Sequence, residues 1–308
     1  MDSTPFVSVI IPVFNDAVRL RLCLDALGKQ TYGLENYEIV VIDNGSDKAQ
    51  AVQTVVSDFS SESFKVTYVY ELKPGSYAAR NAGLKIAHGT VLAFTDADCI
   101  PSTDWIEKGV SHLLKTPNCG LVAGRIKLFF RGDRPSPVEL YESVTAFPQQ
   151  RLLREQHGAA TGNVFTFRSV MDRVGLFNDR LKSNGDLEWG GRVHVAGFEQ
   201  IYAEDVCVAH PARYTFRDLR RRTLRLAGGV FGRFIQPQHS LLRRNMTFAR
   251  LIADDLTPPV NFALSTLKDD RLEGMRQKLT VSLVLVWVRY VSAIEKVRLK
   301  FGGVPYRE

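Results

Sequence analysis

The first hundred residues alternate short apolar runs with amphipathic segments, and this alternation is the strongest constraint on the fold. The apolar, β-branched runs that predict buried strands are Val7–Phe14, Tyr37–Ile42, Lys65–Tyr70 and Thr90–Thr95. The stretches between them that predict helices are Ala17–Leu27, Ala49–Phe59 and Tyr77–Ala87. We expect Pro12 to end the first strand. This β-α-β-α order favours an α/β fold with a mixed, mainly parallel sheet covered by helices on both faces.

The second half of the chain has a less regular pattern. Strands are predicted at Gly120–Phe130, Asn163–Phe167 and Gln200–Val208, and helices at Val138–Phe147, from Ser169 onwards, and at Gly185–Gly197. After Pro211 the sequence changes to arginine-rich helical stretches. We therefore expect a first domain over residues 1–213 and a basic, mostly helical region over 214–308.

Cysteine usage and the N-terminus both favour an intracellular setting. The four cysteines form no CxxC pair, so neither a zinc site nor a disulfide framework is expected. The N-terminal segment has no basic stretch before its apolar run, unlike a signal peptide. The sequence predicts a cytoplasmic protein.

Positive charge is concentrated in one part of the chain. The net charge is +7, and residues 216–250 contain nine arginines against one acid, Asp218. Within it, Arg217–Arg225 can be a helix in the headgroup layer of an anionic membrane, a helix that packs on the rest of the chain, or a source of arginines for a diphosphate. The most apolar run, Leu279–Val288, is too short to span a bilayer. A peripheral membrane contact is expected, and nucleic acid is not.

Three polar segments directly follow predicted strands, namely Pro12–Asp16, Asp43–Ser46 and Asp96–Asp98. In open α/β sheets, ligands bind beyond the carboxyl ends of the strands, so these segments should converge on one crevice. Asp96 and Asp98 would repel each other unless they share a positive charge. Mg²⁺ or Mn²⁺ suits this position, because such ions accept one or two carboxylates and complete their shell with water and phosphates.

Four segments in order resemble glycosyltransferase family 2. They are SVIIPVFN, EIVVIDNGSDK, KPGSYAARNAGLKIAHGTVLAFTDADC and TGNVFTFRSVMDRVGLFNDRLKSNGDLEWGGRVHVAGF, and they cover most of residues 6–210. The resemblance implies a GT-A fold and inverting transfer of a sugar from a nucleotide-diphosphate sugar, with Mg²⁺ or Mn²⁺. It also implies a role in polysaccharide or glycoconjugate synthesis at the cell surface, with a hydroxyl-bearing glycan or a lipid-linked acceptor.

The resemblance carries over to residues on the donor side. The strand end that would line the nucleoside pocket is Pro12, Val13 and Phe14. Asp43 would contact the nucleobase, with Asn44 standing where a second Asp is commonest, and UDP is the favoured nucleotide. Arg80 would lie near the donor and Asp96 near the ribose. Asp98 would bind the metal, and His210, after the strand ending at Val208, would complete its shell or touch the diphosphate.

On the acceptor side, the resemblance makes Asp186 the general base that takes the proton of the attacking hydroxyl. Glu188 ranks second, because two residues along a helix it points elsewhere. Gly162 and Asn163 match a turn beside the acceptor. Trp189 could stack on an acceptor ring or pack in the core, as aromatic residues of helices commonly do.

Other classes fit the sequence less well. A nucleotidyltransferase would need a glycine- and lysine-rich loop after the first strand, where this chain has PVFNDAVRL. A dehydrogenase would need GxGxxG there. A catalytically inactive binding module of a membrane-associated complex would be expected to have lost the metal or base carboxylates, which are present here.

Overall fold

The computed structural model describes residues 4–61, 64–181 and 183–306. Their contacts divide the chain into two compact units. The first unit consists of residues 1–127, 147–180 and 185–210, and the second of residues 128–146, 181–184 and 211–308. The second unit thus takes in two segments from earlier in the chain, and the division into domains at residue 213 stays a prediction.

The first unit begins with four parallel strands. They are β1 (Val7–Val13), β2 (Tyr37–Asp43), β3 (Val66–Tyr70) and β4 (Val91–Thr95), in the sheet order β3-β2-β1-β4. The helices between them are α1 (Ala17–Leu27), α2 (Ala49–Phe59) and α3 (Ser76–Ile86). Every residue of β2 and β4 is buried, which explains why these strands read as continuous apolar runs.

The sheet continues with antiparallel neighbours after β4. Next in sequence are β5 (Ile100–Pro101), α4 (Trp105–Lys115), β6 (Cys119–Phe129), α5 (Pro137–Thr145), α6 (Gln149–Gln156), β7 (Asn163–Phe167), α7 (Arg168–Val174), α8 (Gly185–Val195) and β8 (Glu199–Pro211). The eight-stranded order is β3-β2-β1-β4-β7-β6-β8-β5. The predicted α/β fold with a mixed sheet is therefore confirmed.

Two details at strand ends differ from prediction. Pro12 lies inside β1 and does not end it. The ladder from β1 to β4 runs only from Val7 to Ile10, and a residue without an N–H is tolerated where one side of a strand is unpaired. His210 likewise lies within β8 instead of after it, because this strand extends to Pro211.

The second unit is helical. After α5, its helices are α9 (Phe216–Val230), α10 (Leu241–Leu256), α11 (Val260–Leu267) and α12 (Gly274–Lys300). The Ser136 hydroxyl caps α5 by accepting a hydrogen bond from the Glu139 backbone N–H, and the Glu139 carboxylate accepts one from the Ser136 backbone N–H. A small core joins α5, α9 and α12 through Val138, Tyr141, Leu219, Val281 and Val284.

The arginine-rich helix α9 is part of this packing. It buries Leu219 and Leu224, and Arg222 turns inward to the fully buried Glu142, which Arg213 also contacts. Burial lowers the pKa of Arg222 to about 10, and the nearby Arg213 acts in the same direction. Of the alternatives open for Arg217–Arg225, packing within the chain is the one observed. Among the helices of the described ranges, none is long and apolar enough to cross a membrane.

Candidate active site

The carboxyl ends of β1 and β2 are tied together by hydrogen bonds. The backbone N–H of Asn44 donates to the Val13 carbonyl at 2.8 Å, and the backbone N–H of Asn15 donates to the Ser46 hydroxyl at 2.9 Å. The Asn15 side chain also donates to Asp47 at 3.0 Å. Two of the three predicted polar segments therefore lie side by side.

Arg19 links the third polar segment to the first. Its guanidinium lies 2.6 Å from the Asp16 carboxylate and 3.5 Å from the Asp98 carboxylate. Asp16 caps α1 through the Arg19 amide, so the same turn fixes the position of this side chain. The ends of β1, β2 and β4 thus meet at one edge of the sheet, as expected for a ligand crevice.

Asp98 also faces His210. The His210 Nε2 lies 3.4 Å from the Asp98 carboxylate, and the imidazole packs on Phe147 with ring centroids 4.7 Å apart. His210 is 4 % exposed, which fixes its ring, whereas the Asp98 side chain is 23 % exposed. A carboxylate oxygen beside an imidazole nitrogen is a donor set that suits Mn²⁺.

This pair would be an incomplete shell by itself. In the part of the chain that the structure describes, no cluster of three or more His, Cys, Asp or Glu could bind a metal ion. Mg²⁺ and Mn²⁺ commonly take the rest of their ligands from water and substrate phosphates. Asp98 and His210 therefore fit an ion that binds together with a phosphate ligand.

A chain of contacts links Asp96 to Asp186. Arg80 is 2 % exposed and pairs with the Asp96 carboxylate at 2.5 Å, and its guanidinium lies 5.9 Å from the ring centre of Tyr77. The Tyr77 hydroxyl donates to Asp186 at 3.0 Å. Gly185 permits this approach, because a Cβ there would meet the Tyr77 ring at 2.7 Å. Tyr77 thus positions the predicted base, and it contacts the arginine that holds Asp96.

Two buried thiols, those of Cys23 and Cys99, lie close to Asp96 and Asp98. Burial is the largest cause that raises the pKa of both Cys23 and Cys99, and the charges of Asp96 and Asp98 raise it further. Cys23 lies 3.8 Å from the Asp96 carbonyl oxygen. Burial and the two carboxylate charges therefore both favour the neutral thiol form of these cysteines.

Asp43 organises the turn after β2. It is fully buried, with one carboxylate oxygen accepting the Ser46 amide at 2.9 Å and the other accepting the Tyr68 hydroxyl at 3.1 Å. Burial, followed by the charge of Asp43, raises the pKa of Tyr68 to about 12. Tyr68 therefore remains a hydrogen-bond donor at neutral pH.

Asn44 fastens the loop that leads to α3. Its amide nitrogen donates to the carbonyls of Glu71 and Lys73 at 3.1 and 2.8 Å, and its amide oxygen accepts from Gly75 at 2.7 Å. An ionised Asp has no donor for those two carbonyls. This explains why an amide stands where the family commonly has a second Asp.

The structure gives the predicted acceptor-side residues different surroundings. Gly162 lies beside the Asp96 carboxylate, because a Cβ at this position would be 3.2 Å from an Asp96 oxygen. Asn163 is fully buried and bonds Trp105, Arg125 and Val206, so its side chain has a structural role.

The prediction that Trp189 stacks on an acceptor ring is wrong for this structure. Trp189 is 1 % exposed, packs on Phe177 and donates to the Gly175 carbonyl, so it leaves no ring face for a sugar. Glu188 pairs with Arg192, one helical turn on in α8, at 2.9 Å, as its place on the helix suggested.

Arg19 and Tyr77 are the residues near the site that the motifs did not point to. Arg19 is three residues after the N-cap Asp16, a spacing that places two side chains on one face of a helix. Tyr77 follows Gly75 at the start of α3, but no local pattern connects it to Asp186, which is 109 residues away.

The fold is that of the GT-A glycosyltransferases. The structure matches the mannosyltransferase PcManGT from Pyrobaculum calidifontis in complex with GDP-Man and Mn²⁺, with a TM-score of 0.64 and 19 % identity over 98 % of this chain and 89 % of that one. It also matches GalNAc-T7 with UDP, GalNAc and Mn²⁺, with a TM-score of 0.55 and 18 % identity over 73 % of this chain and 48 % of that one.

Sequence comparison gives the family. The model of glycosyl transferase family 2 matches residues 8–175, more than half of the chain. Glycosyltransferase AglE of Haloferax volcanii is 33 % identical over 289 residues, or 93 % of each chain. The chain therefore belongs to glycosyl transferase family 2, and it is a glycosyltransferase.

Proposed function

We propose that this glycosyltransferase moves a sugar from a nucleotide-diphosphate sugar to a hydroxyl acceptor with inversion at the anomeric carbon. Two observations support the proposal: Asp98 lies beside His210, and contacts through Tyr77 and Arg80 connect Asp186 to Asp96. Asp98 and His210 suit a metal-bound diphosphate, and Asp186 suits a general base.

Asp98 and His210 would hold Mg²⁺ or Mn²⁺ together with the donor diphosphate. When bound, the ion supplies Lewis-acid stabilisation of the departing diphosphate. Arg19, 3.5 Å from Asp98, adds a further positive charge at this position. The buried Arg80 pairs with Asp96 and orients its carboxylate, with the ribose as the proposed partner of Asp96.

Asp186 acts as the base in this proposal. As the acceptor oxygen forms its bond to the anomeric carbon, the hydroxyl proton passes to an Asp186 carboxylate oxygen, and the bond to the diphosphate breaks on the opposite face. The Tyr77 hydroxyl donates to one oxygen of Asp186, and the acceptor hydroxyl would bind the other. Pro12, Val13 and Phe14 are the proposed nucleoside contacts, and the fully buried Asp43 would act by fixing the turn that meets the nucleobase.

The donor and acceptor follow from less specific observations. A UDP-sugar is our first choice of donor, as expected from the sequence, and a GDP-sugar is the second; one matching structure contains UDP and the other GDP-Man. We propose a hydroxyl-bearing glycan or a lipid-linked acceptor in polysaccharide or glycoconjugate synthesis. The enzyme would work on the cytoplasmic face of the membrane in peripheral contact with it.

A catalytically inactive binding module is not favoured. Such a module has no need for an acid in hydrogen-bond contact with a buried partner at the base position, yet Asp186 is held by Tyr77 at 3.0 Å.

A thermal-shift panel of nucleotide-diphosphate sugars, with and without Mn²⁺, tests the donor and the metal together. A ligand that binds only the folded state raises its apparent stability by about 2.7 kcal/mol at a hundred times its Kd. We expect one nucleotide class to give a shift that depends on Mn²⁺, and Asp98→Asn to abolish that dependence. A Mn²⁺-independent shift in the wild type would contradict the metal assignment, and no shift with any donor would contradict the proposed function.

A further inference from the structure

An apolar stripe runs along the exposed side of α12. Its residues recur every three or four positions, which places them on one face of the helix: Met275, Leu279, Leu283, Val286, Tyr290, Ile294, Val297 and the following Phe301. Leu283 is 69 % exposed and Phe301 is 83 % exposed. At 1.5 Å per residue the stripe is about 40 Å long.

The opposite side of α12 is anchored within the second unit. Val281 and Val284 lie in its core, and Lys296 pairs with Asp255 of α10 at 2.5 Å. The stripe therefore belongs to a helix that is held in place.

The neighbouring helix α10 adds to this apolar surface. None of its sixteen described residues is buried, and Leu241, Leu242 and Met246 are each more than 60 % exposed. In the part of the chain that the structure describes, 28 large apolar side chains are exposed, and 18 of them lie at residue 214 or beyond. So many exposed apolar side chains in one part of the chain indicate an interaction surface, because monomeric soluble proteins rarely expose large apolar patches.

The same region carries the positive charge of the chain. Residues 214–308 contain eighteen Lys and Arg against eight Asp and Glu, whereas residues 1–213 contain 22 against 25. Arg243, Arg276 and Lys300 are exposed, and the single acid of α12, Glu295, is 2 % exposed and paired with Arg298. An exposed apolar stripe is therefore accompanied by exposed cations, with no exposed acid on α12.

We propose that this α12 stripe, together with the exposed side of α10, is a docking surface for an anionic lipid bilayer. A bilayer interface accepts apolar side chains and attracts Lys and Arg at the same time. A second copy of the chain would bury the stripe equally well, but it would bring two strongly basic surfaces together. Charge complementarity thus selects the lipid surface.

The docking surface is the part of the chain that would make the proposed membrane contact. It rests on the proposed function only through the lipid-linked acceptor. A lipid-linked acceptor would be concentrated at the surface that the enzyme binds. Binding to lipid itself needs neither Asp98 nor Asp186, so the two proposals can fail separately.

Co-sedimentation with vesicles tests the docking surface. The variant Leu283→Glu/Ile294→Glu removes two exposed stripe residues. The matched control Leu114→Glu/Val195→Glu makes the same charge change at exposed apolar positions of the first unit. Vesicles of phosphatidylcholine alone are compared with vesicles that contain about a third phosphatidylglycerol, at low and high salt. Nucleoside diphosphate release from the donor in detergent, without vesicles, reports the catalytic function of every variant.

We expect the wild type and the control to bind the anionic vesicles, and the stripe variant to bind about tenfold more weakly or worse, with unchanged donor turnover. Wild-type protein that stays in the supernatant, or a stripe variant that binds as the wild type does, would overturn the proposal. So would a wild-type dimer in light scattering that the stripe variant dissociates, because the stripe would then belong to a second copy.

Discussion

The two units differ most in the side chains that they expose. Both units bury hydrogen-bonded polar side chains, such as Asp43, Asn44 and Asn163 in the first unit and Glu142 in the second. In the second unit, apolar side chains are exposed, and this smaller unit contains 20 of the 28 large apolar side chains that the described residues expose. Charge follows the same division, since the excess of Lys and Arg lies after residue 213.

This difference suggests that the two units meet different demands. Buried, bonded polar groups fix side chains in place, which is what a site that must bind a charged diphosphate requires. Exposed apolar groups next to cations contribute nothing to a fold in water and are explained by a partner outside the chain. Changes in the first unit should therefore leave lipid binding intact, and changes in the exposed stripe of the second unit should leave catalysis intact.

Asp186→Asn should have the largest effect, and it should separate catalysis from donor binding and lipid binding most clearly. The amide cannot accept the acceptor proton, so kcat should fall by about a thousandfold. Donor binding by thermal shift and binding to anionic vesicles should both stay at the wild-type level, because neither involves the base. A near-normal kcat would show that Asp186 is not the base. Weaker vesicle binding would contradict the separation of the units.

Asn44→Asp should produce the next largest effect, and it concerns stability. The new carboxylate would lose two donated hydrogen bonds and face the carbonyl oxygens of Glu71 and Lys73, at a cost of about 3 kcal/mol in the free energy of unfolding. Urea denaturation measures this change. The control is Asn261→Asp at an exposed position of the second unit, where we expect a change within about 0.5 kcal/mol. Equal effects of the two changes would mean that the buried network of the first unit adds no stability.

Asn44 also illustrates how far local sequence could predict this molecule. The apolar runs predicted β1 to β4 and the helices between them within one or two residues, because buried parallel strands and amphipathic helices have strong periodic patterns. Asn44 was recognised as a departure from the family pattern. Local sequence does not reveal why Asn stands there, because the carbonyls to which its side chain donates lie 27 and 29 residues further on.

The missed and misassigned residues have the same cause. The helix α4 was not predicted, and its Gly109 is a poor helix former that the fold requires, since a Cβ there would meet the Phe165 ring at 2.4 Å. The pattern GDLEW placed Trp189 beside the predicted base, but only the packing of Phe177 shows that its ring is enclosed. Burial that depends on distant segments leaves little trace in local sequence.

Tyr77→Phe is expected to have the smallest effect. Phenylalanine keeps the ring that packs on Phe177 and removes only the hydroxyl that orients Asp186. Losing a hydrogen bond to a charged group costs about 1.5 kcal/mol, so kcat should fall about tenfold while the KM for the donor stays constant.

The matched change Tyr68→Phe removes the corresponding hydroxyl from Asp43, at the proposed nucleoside pocket. It should raise the KM for the donor and leave kcat nearly constant, because the contact is made equally in the ground state and the transition state. Steady-state kinetics with varied donor, together with the vesicle assay, measures both variants. Identical kinetic changes in the two variants would mean that Tyr77 supports the fold generally and does not position the base. Altered vesicle binding in either would show that the two units do not act separately.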